Sequence, residues 1–351
     1  MLRGSGAAQV LTAAGGANAP VWRGQRGQRG HYEVWYATGS KPGVGGFWFR
    51  CTLRAPPGPT AGRAVAEVWG VVFRPAPLAL KATAPIESAR LGDDAAPFVL
   101  NEAVEGAKGW GAVSRGRVEG ELEGGGHRIR WDLAYEPPER ALYHFPKPLI
   151  RASVVPTKVC SPALGVTFVG SVEVDGEDAG LDGARGCQTH VWGSRHAAAW
   201  CWGHCSSFGG APVVLEVVSA RPDLRLRPGP PFTFVYCGAD GHDVTANAFP
   251  WNLTARSWGT FPRWGFSART GHHRLEGEIS MQPSQAAQVT YHDPGGRTLW
   301  CTNSCTASAT LRLWHRRRGG WSEPDVYESG AGGAQTEFGS RVRRDDVPVI
   351  L

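Results

Sequence analysis

His127-Arg128-Ile129-Arg130-Trp131-Asp132-Leu133-Ala134-Tyr135-Glu136-Pro137 returns 146 residues later as His273-Arg274-Leu275-Glu276-Gly277-Glu278-Ile279-Ser280-Met281-Gln282-Pro283. His, Arg and Pro coincide, and Ile/Leu, Asp/Glu, Leu/Ile and Ala/Ser face one another. A Val-rich run ending Arg74-Pro75 matches one ending Arg221-Pro222 at an offset of 147. Two matches in one order at nearly one spacing predict a tandem duplication. It divides the chain into 31–155 and 156–351, with the Pro-rich stretch 137–162 as the crossing segment. Residues 1–30 hold four arginines and no acid, and read as a disordered Gly/Ala/Arg-rich leader.

The rest of the chain is punctuated like a β protein. Its 351 residues include 48 Gly and 26 Pro, which favour turns over long helices. His31–Tyr36 and Gly46–Leu53 are aromatic runs joined by Ser40-Lys41-Pro42-Gly43, a hairpin signal. Val113–Leu122 and His127–Tyr135 flank Glu123-Gly124-Gly125-Gly126, and further short apolar runs follow to Trp314. Only Ile86–Leu91 suggests a short helix. The fold class expected is all-β: two tandem antiparallel β-barrels, with a β-sandwich as the structural alternative.

Composition narrows the function. Net charge is +6, but without the four arginines of the first thirty residues 33 basic residues face 31 acidic ones. The folded part is therefore nearly balanced, and no nucleic-acid partner is expected. No apolar run has the length of a bilayer-crossing helix, so no stable membrane insertion is expected. Eight scattered cysteines suggest free thiols and a cytoplasmic location. Of 35 aromatic residues 15 are Trp, a proportion suited to lining a cavity for a hydrophobic small molecule.

The densest segment is Gly186–His196 followed by Trp200-Cys201-Trp202-Gly203-His204-Cys205. Strand alternation puts Trp200, Trp202 and His204 on one face, and Cys201, Gly203 and Cys205 on the other. If the large face points inward, it lines the second barrel, with His190 and Trp192 beside it and Arg195 at the mouth. Glu33 and Trp35 share a face in the first half, near Tyr36 and Trp48. A buried carboxylic acid among rings would have a raised pKa and could protonate an olefin or epoxide. Glu33 and Glu216 are the candidate acids; His190 and His204 would also manage protons. Trp35, Tyr36, Trp48, Trp192, Arg195, Trp200, Trp202 and Asn303 would bind the ligand. Cys187-x-x-His190 and Cys201-x-x-His204 superficially match zinc pairs, but residues three apart in a strand point to opposite faces, so no metal is assigned. Phosphate-cradling and dinucleotide motifs are missing, and no cofactor is expected.

The aromatic opening, His190-Val191-Trp192-Gly193-Ser194-Arg195 with Trp200–Cys205, and Tyr291-His292-Asp293-Pro294-Gly295 with Cys301-Thr302-Asn303-Ser304 together resemble the tocopherol cyclase-like and carotenoid 1,2-hydratase-like superfamily. The resemblance implies two lipocalin-like barrels and hydration, cyclisation or rearrangement of isoprenoid or polyketide-like substrates, often without a cofactor. The expected function is a cofactor-independent cyclase, hydratase or isomerase acting by acid–base chemistry. A non-catalytic binding protein with the same apolar wall is the alternative, and a glycan-binding module with exposed Trp rings a third. An enzyme needs a titratable group facing the cavity; a carrier does not.

Overall fold

The computed structural model describes residues 11–13, 15–24, 30–58, 64–103, 105–152, 155–223, 228–239 and 241–351. Two curled antiparallel sheets contain nearly all of the secondary structure. In hydrogen-bonded order the first runs Phe98–Ala103, Lys108–Ser114, Arg117–Gly124, His127–Ala134, Thr157–Val174, Ala184–Gly193, His31–Lys41, Gly45–Ala55, Val65–Phe73 and Leu78–Pro85. The second runs Arg256–Thr260, Arg263–Arg269, His273–Ser280, Thr298–Arg317, Ala334–Ser340, Ala199–Cys205, Val214–Arg221, Phe232–Ala239 and His242–Thr245. Leu78–Pro85 comes back to touch Phe98–Ala103, and Phe232–Ala239 to touch Arg256–Thr260, which curls each sheet into a lipocalin-like half-barrel.

Laid side by side, the two orders put one pair of matched segments in equivalent strands and the other pair one strand apart. His127–Ala134 and His273–Ser280 are equivalent: each lies between a hairpin partner and a long strand, of 18 or 20 residues. Val65–Phe73 and Val214–Arg221 are one strand out of step, because Gly45–Ala55 occupies the place of Val214–Arg221. Their Val-rich likeness reflects burial alone. The sheets change over between Gly193 and Ala199, whereas the repeat offset puts the division at 155/156. Thr157–Val174, partly assigned to the crossing segment, is the bulged strand that joins Ala184–Gly193 to the first sheet.

Smaller departures have local causes. Val113–Leu122 is two strands, because Gly116 takes φ +86° in a turn between them. The helix expected at Ile86–Leu91 is a three-residue 3₁₀ turn, Ile86–Ser88. Of the expected leader, residues 1–10, 14 and 25–29 lie outside the described residues. Ala17 and Asn18, however, are buried against the first barrel. All eight cysteines carry free thiols. No helix among the described residues is long and apolar enough to cross a membrane.

Both faces of the central strands are covered. Trp35, Phe47, Phe49, Cys51 and Leu53 point into the first barrel, and Cys205, Leu215, Val217, Trp264 and Phe266 into the second. The intervening residues Tyr32, Val34, Tyr36, Trp48 and Trp69 meet Val289, Tyr291, Cys301 and Cys305 in a third core between the barrels. His31–Lys41 is accordingly buried almost end to end. A strand buried on both sides loses the in–out alternation that marks a solvent-facing sheet.

Candidate active site

Two of the expected acid–base residues form a clasp within the first barrel. The Glu33 carboxylate accepts the backbone N–H groups of Val21 (2.6 Å) and Trp22 (2.8 Å), and bonds from His190 Nε2 (2.9 Å) and His31 Nε2 (3.0 Å). Burial alone would raise its pKa. The His190 and His31 bonds and the Val21 amide outweigh burial and hold it at about 2. His190 Nδ1 donates to Ala17 O (2.9 Å), so both of its ring nitrogens face oxygen atoms. Its ring stacks on Trp35, whose Nε1 donates to Asn18 O. Glu33 is thus an ionised anchor for residues 17–22 and has no proton to donate. The expectation of a raised pKa is corrected here.

Glu216 and His204 are committed in the same way. Glu216 accepts from Trp202 Nε1 (2.9 Å), His204 Nδ1 (2.9 Å), His144 Nε2 (3.2 Å) and Ser161 Oγ (3.3 Å). Against burial, the bonds from His144 and His204 bring its pKa down to about 2. Cys187, His204 and Glu216 place potential metal-ligand atoms within 4.8 Å of one another. Both carboxylate oxygens already accept hydrogen bonds, so the group is accounted for as a buried polar network.

The barrel faces are also the reverse of the expectation. Trp200 and Trp202 share a face as alternation required, but they point away from the barrel, while Cys201 and Cys205 pack inside it. The small face is needed inward because Ile279 and Trp264 crowd Gly203. The aromatic wall therefore surrounds a cavity of about 150 Å³ between the two barrels. Tyr32, Tyr36, Trp48 and Arg50 come from the first barrel, Trp200, Trp202 and Glu337 from the second, and His196 from the link between them. A wider depression of about 600 Å³ opens beside Ser219, Trp258 and Phe338. Its rim charges are not matched by a buried acid or imidazole among the residues lining it.

Glu337 is the acid with the property first sought in Glu33. It is buried, and desolvation raises its pKa despite the bond donated by Trp200 Nε1 (3.3 Å) and the field of Arg50. Asn303 Nδ2 donates to its other oxygen (3.2 Å). Gly339, two residues on, makes the Trp200 contact possible, since a Cβ there would overlap the indole. His196 Nδ1 donates to Asp293 Oδ1 (2.6 Å), which also accepts the His196 backbone N–H (2.8 Å). Burial lowers the His196 pKa against the pull of Asp293. Asp293 is itself held below the ordinary range: burial opposes this, and the His196 bond outweighs it. The result is a neutral imidazole, oriented by a carboxylate, with no hydrogen bond to Nε2 among the described residues. Tyr32 stacks on the ring at 4.1 Å.

Of the expected ligand-binding residues, Tyr36, Trp48, Trp200 and Trp202 are on the cavity wall, and Asn303 stands behind Glu337. Trp35 and Trp192 flank His190 instead, and Arg195 is exposed in a turn. None of Glu33, His190, His204 and Glu216 lines the cavity. Burial of Trp48 and Trp202 excludes them as an exposed glycan platform. Sequence reasoning missed Arg50, His196, Asp293 and Glu337. His196 and Asp293 stood within quoted segments, but only the fold joins a link residue to a turn 97 positions away.

The sequence pattern of the tocopherol cyclase-like family matches residues 161–339. An uncharacterised protein of Mycobacterium tuberculosis is 29% identical over 323 residues, covering 91% of this chain and 90% of its own. The crystal structure of CghA superposes with a TM-score of 0.59 at 12% identity, over 95% of this chain and 94% of that one. That of an AttH candidate from Nitrosomonas europaea gives 0.50 at 12% identity, over 89% and 92%. Both share the double-barrel fold.

Proposed function

The chain belongs to the tocopherol cyclase-like family, and from that premise we propose that it is a cyclase, hydratase or isomerase whose reaction site is the cavity between the two barrels. The observation that carries the reading is the pairing of a buried acid whose pKa burial raises, Glu337, with the Asp293–His196 pair around one aromatic-walled space. Glu337 gives its proton to an olefin, epoxide or carbonyl of an isoprenoid or polyketide-like substrate. The faces of Trp48, Trp200 and Trp202 stabilise the positive charge that develops. His196 Nε2 then takes a proton, either from substrate carbon in cyclisation and isomerisation or from an attacking water in hydration. The acid and the base each end one proton exchanged, and solvent restores both. The steps draw on substrate, water and side chains. A carrier with the same wall has no use for the acid–base pair.

The test begins with solvent extraction of protein purified from its own host, to identify the compound it holds. That compound is then incubated with wild type, Glu337→Gln and His196→Gln, and the products are followed by mass spectrometry. Conversion by wild type and its loss in both variants is expected. Conversion that survives in both variants overturns the assignment, and a compound held but never converted turns the reading to a carrier.

A further inference from the structure

We propose that the substrate is an amphiphilic acid, with an apolar body among the tryptophans and a single oxyanion seated on Arg50. The inference rests on the cavity being the reaction site and names the class of molecule that enters it. Arg50 is only 6% exposed, yet no carboxylate lies within ion-pair reach among the described residues. Its Nε donates to Thr52 Oγ1 (2.8 Å), and its guanidinium carbon stands 4.3 Å from the Tyr291 ring centroid, 5.0 Å from Trp69 and 5.6 Å from Trp48. Ring faces offset part of the desolvation, but they accept no fork of hydrogen bonds from the terminal nitrogens. The Trp48 indole N–H, on the same cavity wall, is buried without an acceptor among the described residues. A guanidinium fork with no carboxylate partner among the described residues, on the same wall as one buried indole N–H without an acceptor, offers the complement of an oxyanion.

The neighbouring acids are each engaged elsewhere. Glu67 is held by Lys81 (2.9 Å), Arg54 (3.8 Å) and Trp69 Nε1 (3.1 Å). Asp293 is bound to His196 and approached by Arg297, while Glu337 accepts from Trp200 and Asn303. Glu216 is enclosed by its two histidines and Trp202. Arg50 also borders a recess shared with Arg54, Lys81 and His292, where several cationic groups face Glu67 alone. Such a recess draws anions inward. The chemistry adds a separate argument. A cation forming beside an unpaired guanidinium would be repelled, and a substrate anion on Arg50 removes that repulsion while the acid acts on the apolar part.

Geranate and geraniol, matched in shape but not in charge, test the inference by calorimetric titration of the full chain at pH 7.5. Wild type is expected to bind geranate at least about tenfold more tightly, the worth of a charge-assisted hydrogen bond. Arg50→Met should abolish the preference while leaving geraniol within about twofold, and Arg50→Lys should restore part of it. Equal binding of the two probes by wild type overturns the inference without touching the cavity assignment, and needs no variant to fold. So does an acid preference that survives Arg50→Met. If neither probe binds, or if Trp200→Ala leaves geranate binding unchanged, the cavity assignment falls and the inference with it.

Discussion

Glu337→Gln separates the electrostatic burden of the buried acid from its packing. The amide has nearly the same shape and keeps an oxygen for Trp200 or Asn303, but it cannot ionise. Because the folded pKa of Glu337 lies above its ordinary value of 4.5, the folded state holds a proton that the unfolded state has released. Its contribution to stability is therefore full below pH 4.5 and declines as pH rises through the folded pKa. Each unit of elevation corresponds to about 1.4 kcal/mol. For 351 residues unfolding as one unit at about 2.1 cal/mol/K per residue, that is roughly 2 °C in Tm per pH unit. The variant should lack this decline, so the Tm difference between Glu337→Gln and wild type should grow in the variant's favour above pH 4.5 and then level off at the folded pKa. Calorimetric melts at half-unit pH intervals measure it, and the difference cancels every other titration. A carboxylic-acid carbonyl band that persists above pH 4.5 in wild type and is missing from the variant gives an independent infrared reading. A flat Tm difference together with an unchanged band would refute the raised pKa, and with it Glu337 as the acid.

Glu33 and Glu216 have the opposite sign: both folded pKa values are near 2, so their stabilisation is present above pH 4.5 and lost as pH falls toward 2. Wild type should lose stability steeply in that window, and Glu33→Gln and Glu216→Gln should each flatten the loss in acid melts. At neutral pH Glu33→Gln removes the carboxylate on which the His190 and His31 rings and the Val21 and Trp22 amides converge, and should cost about 3 kcal/mol, read by urea unfolding. Asp293→Asn leaves His196 without its orienting carboxylate, so conversion of the extracted compound should fall about 10²–10⁴-fold with little change in Tm. Gly46→Ala would drive a Cβ into the backbone and Cβ of Cys305 across the barrel–barrel seam. It should lower Tm and weaken probe binding, whereas Gly43→Ala at an open turn position should leave probe binding unchanged.

How far the sequence could be read follows from what periodicity measures. Strand content and turns were legible because they are local: Ser40–Gly43 and Glu123–Gly126 carry their own backbone requirements. The shared face of Trp200 and Trp202 was legible too, since alternation fixes it. Which face points inward was not. When both faces of a strand are buried, as in His31–Lys41, hydrophobicity no longer distinguishes barrel interior from barrel–barrel seam. The acids were misjudged for a related reason. Glu33 sits beside Trp35 in sequence, but its pKa is set by Val21, Trp22, His31 and His190, which converge on it only in the fold. Glu337 stands in a Gly-rich stretch with no neighbouring pattern to mark it, and its raised pKa comes from burial against the other barrel.

The location of the reactive groups has a structural cause in the pairing of two barrels. Each barrel interior is filled by its own side chains, such as Phe47, Phe49 and Trp131 in the first and Trp264, Phe266 and Phe338 in the second. Among the described residues those side chains pack against one another in the barrel interiors. The seam is different, because two convex faces meet there and cannot interdigitate everywhere. Its lining is also drawn from both barrels: Arg50 from the first, Glu337 from the second and His196 from the link, with Asp293 behind His196 in a turn of the second. A single barrel would hold an unpaired arginine or an unpaired acid with no base opposite it. Acid, base and cation come together only when the barrels associate, so packing across the seam, at Gly46 and Cys305 above all, governs the geometry of the site as directly as the groups that line it.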